Sequence, residues 1–297
     1  MQIVAIILTY NEEIHLERCL LNIKNFVNKI YVVDSYSSDK TKEIALEHNA
    51  IFLENKFVNH ARQFNWALKQ IDQYEDWILR IDADEVLSES LKKEIRKKLP
   101  NLDKSIKGIY LNRYIVFQGK QLNHGGIFPN KVLRIFKKGF GYYSDQWMDE
   151  RLTIKGGTTF FKGKIIDHNL NPLQWWITKH NFYSNKEVLE LLKNSYLSKK
   201  NNTFKNIYKN KNKFLTLKKV YLISPLFVRS ILYFMYRYIF KFGFLDGYQG
   251  LCFHLLQGLW YRFLVDAKYR ELMIRIKEQG KINSSIKDIL GIDFNEE

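Results

Sequence analysis

Short apolar runs alternate with amphipathic segments through the first hundred residues. The runs IVAIILTY from Ile3, KIYVVDS from Lys29, AIFLEN from Ala50 and DWILRIDAD from Asp76 have the length and β-branched content of strands. Helical patterns begin between them near Glu12, Asp39 and Asn59, and a further helix, SESLKKEIRKKL, follows with Ser88 placed to cap it. This spacing predicts βαβ units, hence an α/β fold with a mainly parallel sheet and flanking helices. TYNEE after the first strand, DSYSSDKT after the second and DADE at the end of the fourth then share the carboxyl edge of the sheet, where open α/β folds bind ligands.

The last of these loops carries the densest chemistry. In an extended backbone the side chains at i and i+2 share a face, so Asp82 and Asp84 could reach one divalent cation bridging the phosphates of a ligand. The plainer reading is a solvated turn of Asp82, Asp84 and Glu85. No GxxxxGK[ST] or GxGxxG follows the first strand, which disfavours a P-loop enzyme and an ordinary nicotinamide dehydrogenase. A nucleotide held through metal and acidic side chains remains. Glu12 and Asp34 could accept hydrogen bonds from its base or ribose; otherwise Asp34 and Asp39 cap turns and Glu12 is a first-turn helix acid.

Composition changes the picture in one region. The 297 residues, 46% hydrophobic and 26% charged, describe a globular chain of one large or two ordinary domains. Cys19 and Cys252 make no disulfide framework and fit a reducing compartment. The opening MQIVAIILTY lacks a basic flank and reads as a strand, not a signal peptide. The net charge of +16 is concentrated: from Leu191 to Leu245 there are twelve basic residues and no acid. That predicts a polyanionic or phosphate-rich partner, unless the stretch is only a solvated basic face in a lysine- and asparagine-rich chain.

VAIILTYNEE, VVDSYSSDKT, LRIDADE and QWMDERL, in that order, resemble bacterial glycosyltransferase family 2, whose members adopt the GT-A fold. The likeness covers roughly residues 1 to 190, and the subgroup it looks closest to includes lipopolysaccharide-core and surface-polysaccharide glucosyltransferases. The resemblance implies a nucleotide-diphosphate-sugar donor, UDP-sugar favoured, a divalent cation (Mn2+ or Mg2+) and inversion at the anomeric carbon. It puts Thr9, Glu12 and Asp34 on the nucleoside and makes Asp84 the principal metal ligand; Arg62, Arg80 and Asp82 are further candidates for contact with the donor. Such a transfer needs a base opposite the leaving diphosphate, for which Asp149 and Glu150 in MDERL are the candidates, Glu150 being favoured. His168, in KIIDHNLNP, could complete the metal site or be structural. His180 with Lys179 could meet a phosphate or belong to a surface polar cluster, and Trp175, Trp176, Phe182 and Tyr183 could stack on a sugar or pack a core.

In PLFVRSILYFMYRYIFKFGFLDG, Arg229, Arg237 and Lys241 fall at multiples of four, a cationic stripe on an otherwise apolar helix. No transmembrane span is expected. Two readings stand: an interfacial helix on anionic lipid, or a helical hairpin packed on the catalytic domain with FHLLQGLWYRFLV as its second arm. The expected organisation is a catalytic domain over 1–190, a basic, amphipathic, membrane-associating helical region over 191–280 and a short tail over 281–297. The function expected is sugar transfer to a lipid-linked glycan or lipopolysaccharide-core acceptor, peripheral on the cytoplasmic face of a bacterial inner membrane. A non-catalytic membrane-surface protein and a metal-dependent nucleotidyltransferase are the alternatives; no nucleic-acid module is present.

Overall fold

The computed structural model describes residues 2–71, 76–144, 152–201, 221 and 224–292. It divides into two compact units, Met1–Asn123 with Ile127–Asn171, and His124–Gly126 with Pro172–Glu297.

The first unit opens with β1 (Ile3–Thr9), α1 (Glu13–Ile23), β2 (Lys29–Asp34), α2 (Thr41–Glu47), β3 (Ile51–Glu54), α3 (His60–Gln70) and β4 (Trp77–Arg80). These four strands lie parallel in the order β3-β2-β1-β4. The central β1 is apolar on both faces because both are covered. Ala5 and Ile7 join Leu16, Cys19, Leu20 and Ile23 of α1 in one core layer, while Val4 and Ile6 join Ala61, Phe64 and Ala67 of α3 in the other. Spacing of i, i+3, i+4 and i+7 in α1, and of i, i+3 and i+6 in α3, puts each set on one stripe.

The chain continues through β5 (Glu85–Leu87), α4 (Glu89–Lys98), β6 (Ile106–Phe117), β7 (Lys120–Leu122), β8 (Asn130–Lys137), β9 (Gly141–Tyr143), β10 (Leu152–Ile154) and β11 (Gly157–His168). The sheet extends as β4-β8-β6-β11-β5, so the half beyond β4 is mixed: β8 runs antiparallel to β4 and β6, and β11 parallel to β6. Ser88 caps α4 by accepting from the Leu91 amide, as its position predicts. That helix crosses β11 at Gly163, where a Cβ would stand 2.4 Å from Leu91 Cα, so only glycine allows the approach. β5 returns antiparallel to β11 with Glu85 opposite Asp167, which sets the DADE turn beside the end of β11. The arrangement is the α/β, GT-A type architecture expected.

The second unit holds α5 (Leu173–Asn201), α6 (Val228–Met235), α7 (Gly247–Phe253), α8 (Tyr261–Gln279) and α9 (Ile282–Leu290). Val188, Leu189 and Leu192 of α5 form its core with Val265, Leu272, Ile286 and Leu290. Two expected boundaries move as a result. The division falls after Asn171, not at 190, because the apolar face of α5 packs against α8 and α9. Most of the expected tail is α9, whose Ile286 and Leu290 are buried in that core. Among the described residues no helix is long and apolar enough to cross a membrane.

One buried imidazole gives this unit a pH response. His254 is fully buried, and neither ring nitrogen has a hydrogen-bond partner among the described residues. A Cβ on Gly125 would lie 2.0 Å from its ring, so the chain there accommodates the imidazole only as glycine. Burial, reinforced by the Arg237 charge and opposed by Asp246, pulls His254 down to about 4 from its ordinary 6.5. The folded chain thus resists a proton that the unfolded chain accepts. The stabilisation is full above about pH 6.5 and is lost as pH falls toward 4. Urea midpoints measured across that window should fall for the wild type and fall less for His254→Leu.

Candidate active site

The first two loops are zipped together by side-chain-to-backbone hydrogen bonds. Thr9 Oγ1 donates to Asp34 Oδ1 at 2.7 Å, while the Ser37 amide and hydroxyl donate to the two oxygens of the same carboxylate, each at 2.6 Å. Across the loops, the Asn11 amide donates to Ser37 Oγ and the Ser38 amide to Asn11 Oδ1. Asp39 accepts from the Thr41 hydroxyl and from the amides of Glu13 and Thr41, which caps the turn; burial works to raise its carboxyl, but these bonds, the Thr41 hydroxyl foremost, hold it below the usual range. Thr9 and Asp34 are therefore buried and used in shaping the loop. The turn-capping alternative weighed for Asp34 and Asp39 is what this geometry displays. Glu12 Oε2 accepts from His15 Nδ1 at 2.6 Å. His15 Nε2 accepts in turn from the Leu170 amide, which assigns the ring proton to Nδ1. Glu12 is thus oriented by an imidazole three residues along its own helix.

The DADE segment is not extended. The Glu85 amide donates to the Asp82 carbonyl at 2.9 Å, closing a four-residue turn that sends the two aspartates different ways. This corrects the shared-face expectation for Asp82 and Asp84. Asp82 meets two cations: Arg80 Nη2 at 3.0 Å from Oδ1 and Arg134 Nη2 at 2.9 Å from Oδ2. Burial works against its charge, but Arg134 and Arg80 outweigh it and hold the carboxyl well below the usual range. Arg134, 1% exposed in the middle of β8, also donates to Glu85, whose other oxygen accepts from the Asp82 amide. Burial pushes Glu85 up to about 7, the Asp82 charge adding to the shift and Arg134 opposing it. Glu85 is fully buried, so the solvated-turn alternative also fails for that residue. Arg80 further contacts His60 Nε2 at 3.1 Å, and burial followed by the Arg80 charge takes that imidazole down to about 4.

Asp84 is held differently. Its Oδ2 accepts from Asn169 Nδ2 at 3.0 Å, and its carbonyl accepts from the His168 amide at 2.9 Å. Arg18 of α1 fastens this corner, with Nη2 donating to the carbonyls of Asp84 and His168. The half-exposed Asp84 carboxylate keeps an oxygen that takes no protein hydrogen bond among the described residues, a donor suited to a hard divalent cation. Only one or two protein carboxylates are needed when a diphosphate supplies the rest, so the lack of a cluster of three metal-ligating groups among the described residues is compatible with such a site. His168 is less ready. Arg18 Nη1 lies 3.3 Å from its Nδ1, and a guanidinium only donates, so Nδ1 is the acceptor and Nε2 carries the proton. Asp84 is the residue that fits a metal as it stands; His168 would first have to release Arg18 or its proton. The adjoining Asp167 is raised to about 6 by burial and by the Asp84 charge.

Other expected residues are placed outside this corner or beyond the description. The amide of Arg62 donates to Asn59 at the start of α3, and its side chain is exposed. Asp149 and Glu150 lie outside the described residues. In the second unit His180 Nδ1 contacts the Trp176 carbonyl at 2.8 Å and its ring stacks on Trp176. Lys179 lies over Trp175. Arg18, Asn169 and Arg134 escaped the sequence reading. Arg134 had a signal, a cation inside the apolar run VLRIF, which demands a buried anion.

Residues 4–170 match the model of Glycosyl transferase family 2. An uncharacterized glycosyltransferase of Rickettsia felis is 28% identical over 93% of this chain and 92% of its own length. One of Rickettsia bellii is 29% identical over 65% of this chain and 68% of that protein. Among solved structures, Staphylococcus aureus TarS (residues 1–349) aligns over 98% of this chain and 90% of that one, with 13% identity and a TM-score of 0.41. Glucosyl-3-phosphoglycerate synthase from Mycobacterium tuberculosis, in complex with Mn2+, UDP and glucosyl-3-phosphoglycerate, aligns over 39% of this chain and 44% of that one, with 17% identity and a TM-score of 0.31. With the family's model spanning more than half of the sequence, from β1 to the end of the DADE corner, the chain belongs to glycosyltransferase family 2.

Proposed function

We propose that this glycosyltransferase moves a sugar, with inversion, from a nucleotide-diphosphate-sugar to a lipid-linked glycan or lipopolysaccharide-core acceptor on the cytoplasmic face of a bacterial inner membrane. UDP-sugar is the donor to test first. The observation that carries the donor half is the Asp84 corner, a braced carboxylate with an available oxygen at the carboxyl edge of a parallel sheet. A Mn2+ or Mg2+ bound there would stabilise the charge that develops on the departing diphosphate. Arg18 and Asn169 hold the corner in shape, and the zipped loops of Thr9, Asp34 and Ser37 shape the neighbouring wall for the nucleoside. Asp149 and Glu150 remain the base candidates, since a sugar hydroxyl attacks only as its proton is removed.

Family membership favours this reading over the non-catalytic membrane protein considered from the sequence. A nucleotidyltransferase would release pyrophosphate instead of nucleoside diphosphate. The acceptor half is tested by incubating the protein with radiolabelled UDP-sugars and bacterial lipid extract. Label entering the organic-extractable fraction is the expected result; label confined to water-soluble products would overturn the lipid-linked acceptor.

A further inference from the structure

The helix over 228–240 is inside out. The cationic stripe expected to face lipid faces the protein interior: Arg229 is 4% exposed and Arg237 7%. Arg229 Nε donates to Asp266 Oδ1 at 2.8 Å, and Arg237 donates from Nε to the Gly125 carbonyl and from Nη1 to Gln257 Oε1. Asp246, the only acid between Ser224 and Val265, is 2% exposed and accepts from the His124 amide. Every charge that could mark the outer surface as aqueous, apart from Lys241, is therefore turned inward and partnered.

The outer face is the apolar one. Val228, Ile231, Leu232, Met235, Ile239 and Phe240 recur at helical spacing and are all exposed, Leu232 at 57% and Phe240 at 70%. The turn that follows continues the face with exposed Phe242 and Leu245 around Lys241. A row of this length is uncommon on a surface meant for water. The sequence leading into it has eight lysines between Lys199 and Lys219 and no acid. We infer that the occupant of this face is the interfacial region of an anionic bilayer, into which the segment over 228–245 inserts its apolar side chains while the exposed Lys241 among them meets lipid phosphate.

The inference deepens the proposed function and rests on its lipid-linked acceptor, but its test is separable. Full-length protein is sedimented with phosphatidylethanolamine/phosphatidylglycerol vesicles at low and high salt, beside the Leu232→Ser/Phe240→Ser variant. Both substitutions lie on the outer face, and circular dichroism and solution donor hydrolysis report that the fold survives. The expected result is vesicle binding by wild type that persists in part at high salt, weakened at least tenfold in the variant. Equal binding by the two proteins would overturn the inference, as would binding abolished by salt alone, because lysines would then act without insertion. A wild-type dimer that ignores vesicles and becomes monomeric in the variant would assign the face to a second copy. Vesicle binding without any donor hydrolysis would sink the transfer reading and leave the inserted face standing.

Discussion

Asp84→Asn should reduce sugar transfer by about a thousandfold, close to 4 kcal/mol of barrier, while leaving the unfolding midpoint nearly unchanged. The substitution keeps the side chain's shape and an oxygen that can accept from Asn169, so the turn closed by the Glu85 amide persists. What disappears is the negative charge of the one carboxylate in the corner that fits a divalent cation as placed. Calorimetry should show UDP binding enhanced by Mn2+ in wild type and indifferent to Mn2+ in the variant. Full activity in Asp84→Asn would remove Asp84 from the reaction and reopen the site assignment. A variant that merely fails to fold would be recognised by its midpoint.

Arg134→Met should destabilise the first unit by about 3–5 kcal/mol, because it leaves the buried Glu85 carboxylate, and the partly exposed Asp82 beside it, without their shared cation. Arg134 is bonded to both Asp82 and Glu85, and Glu85 has no solvent to fall back on. Asp82 keeps Arg80, so the larger part of the loss should come from Glu85. Adding Glu85→Gln to Arg134→Met should recover part of the stability, since a neutral amide tolerates the site without a counter-charge. Urea denaturation of both single variants and the double variant measures this coupling. Strict additivity would show that the two residues do not sense one another and that the network is not holding the DADE turn.

The elements that could be read from the sequence were those whose information is local. The four parallel strands and the helices between them follow from runs such as IVAIILTY and from caps such as Ser88, where neighbours in the chain decide the outcome. The convergence of the TYNEE, DSYSSDKT and DADE loops follows from strand direction alone. The errors share a different cause. An extended backbone would place Asp82 and Asp84 on one face, whereas Arg134, 52 residues away, joins the neighbouring Arg80 in holding Asp82 at a turn. Spacing puts Arg229, Arg237 and Lys241 on one stripe; the first two do share a buried side while Lys241, past the end of the helix, is exposed, and periodicity does not say which side of a helix is covered. Asp266, 37 residues away, decides it by taking Arg229 inward. For His168 the sequence leaves a metal ligand and a structural residue both open, and it does not show that Arg18 stands at the Nδ1, a meeting of residues 150 positions apart. Buried ion pairs and second partners of a functional group are set by tertiary neighbours, and a single sequence lists no such neighbours.

The central claim is that a family 2 glycosyltransferase site is organised around Asp84. Its most direct test is donor turnover by the purified protein across UDP-, GDP- and dTDP-sugars, with and without Mn2+, with released nucleotide identified by chromatography. Manganese-dependent release of a nucleoside diphosphate from one donor, absent in Asp84→Asn, is the predicted result. Release of pyrophosphate, or the absence of both turnover and metal-dependent nucleotide binding across the whole panel, would contradict it.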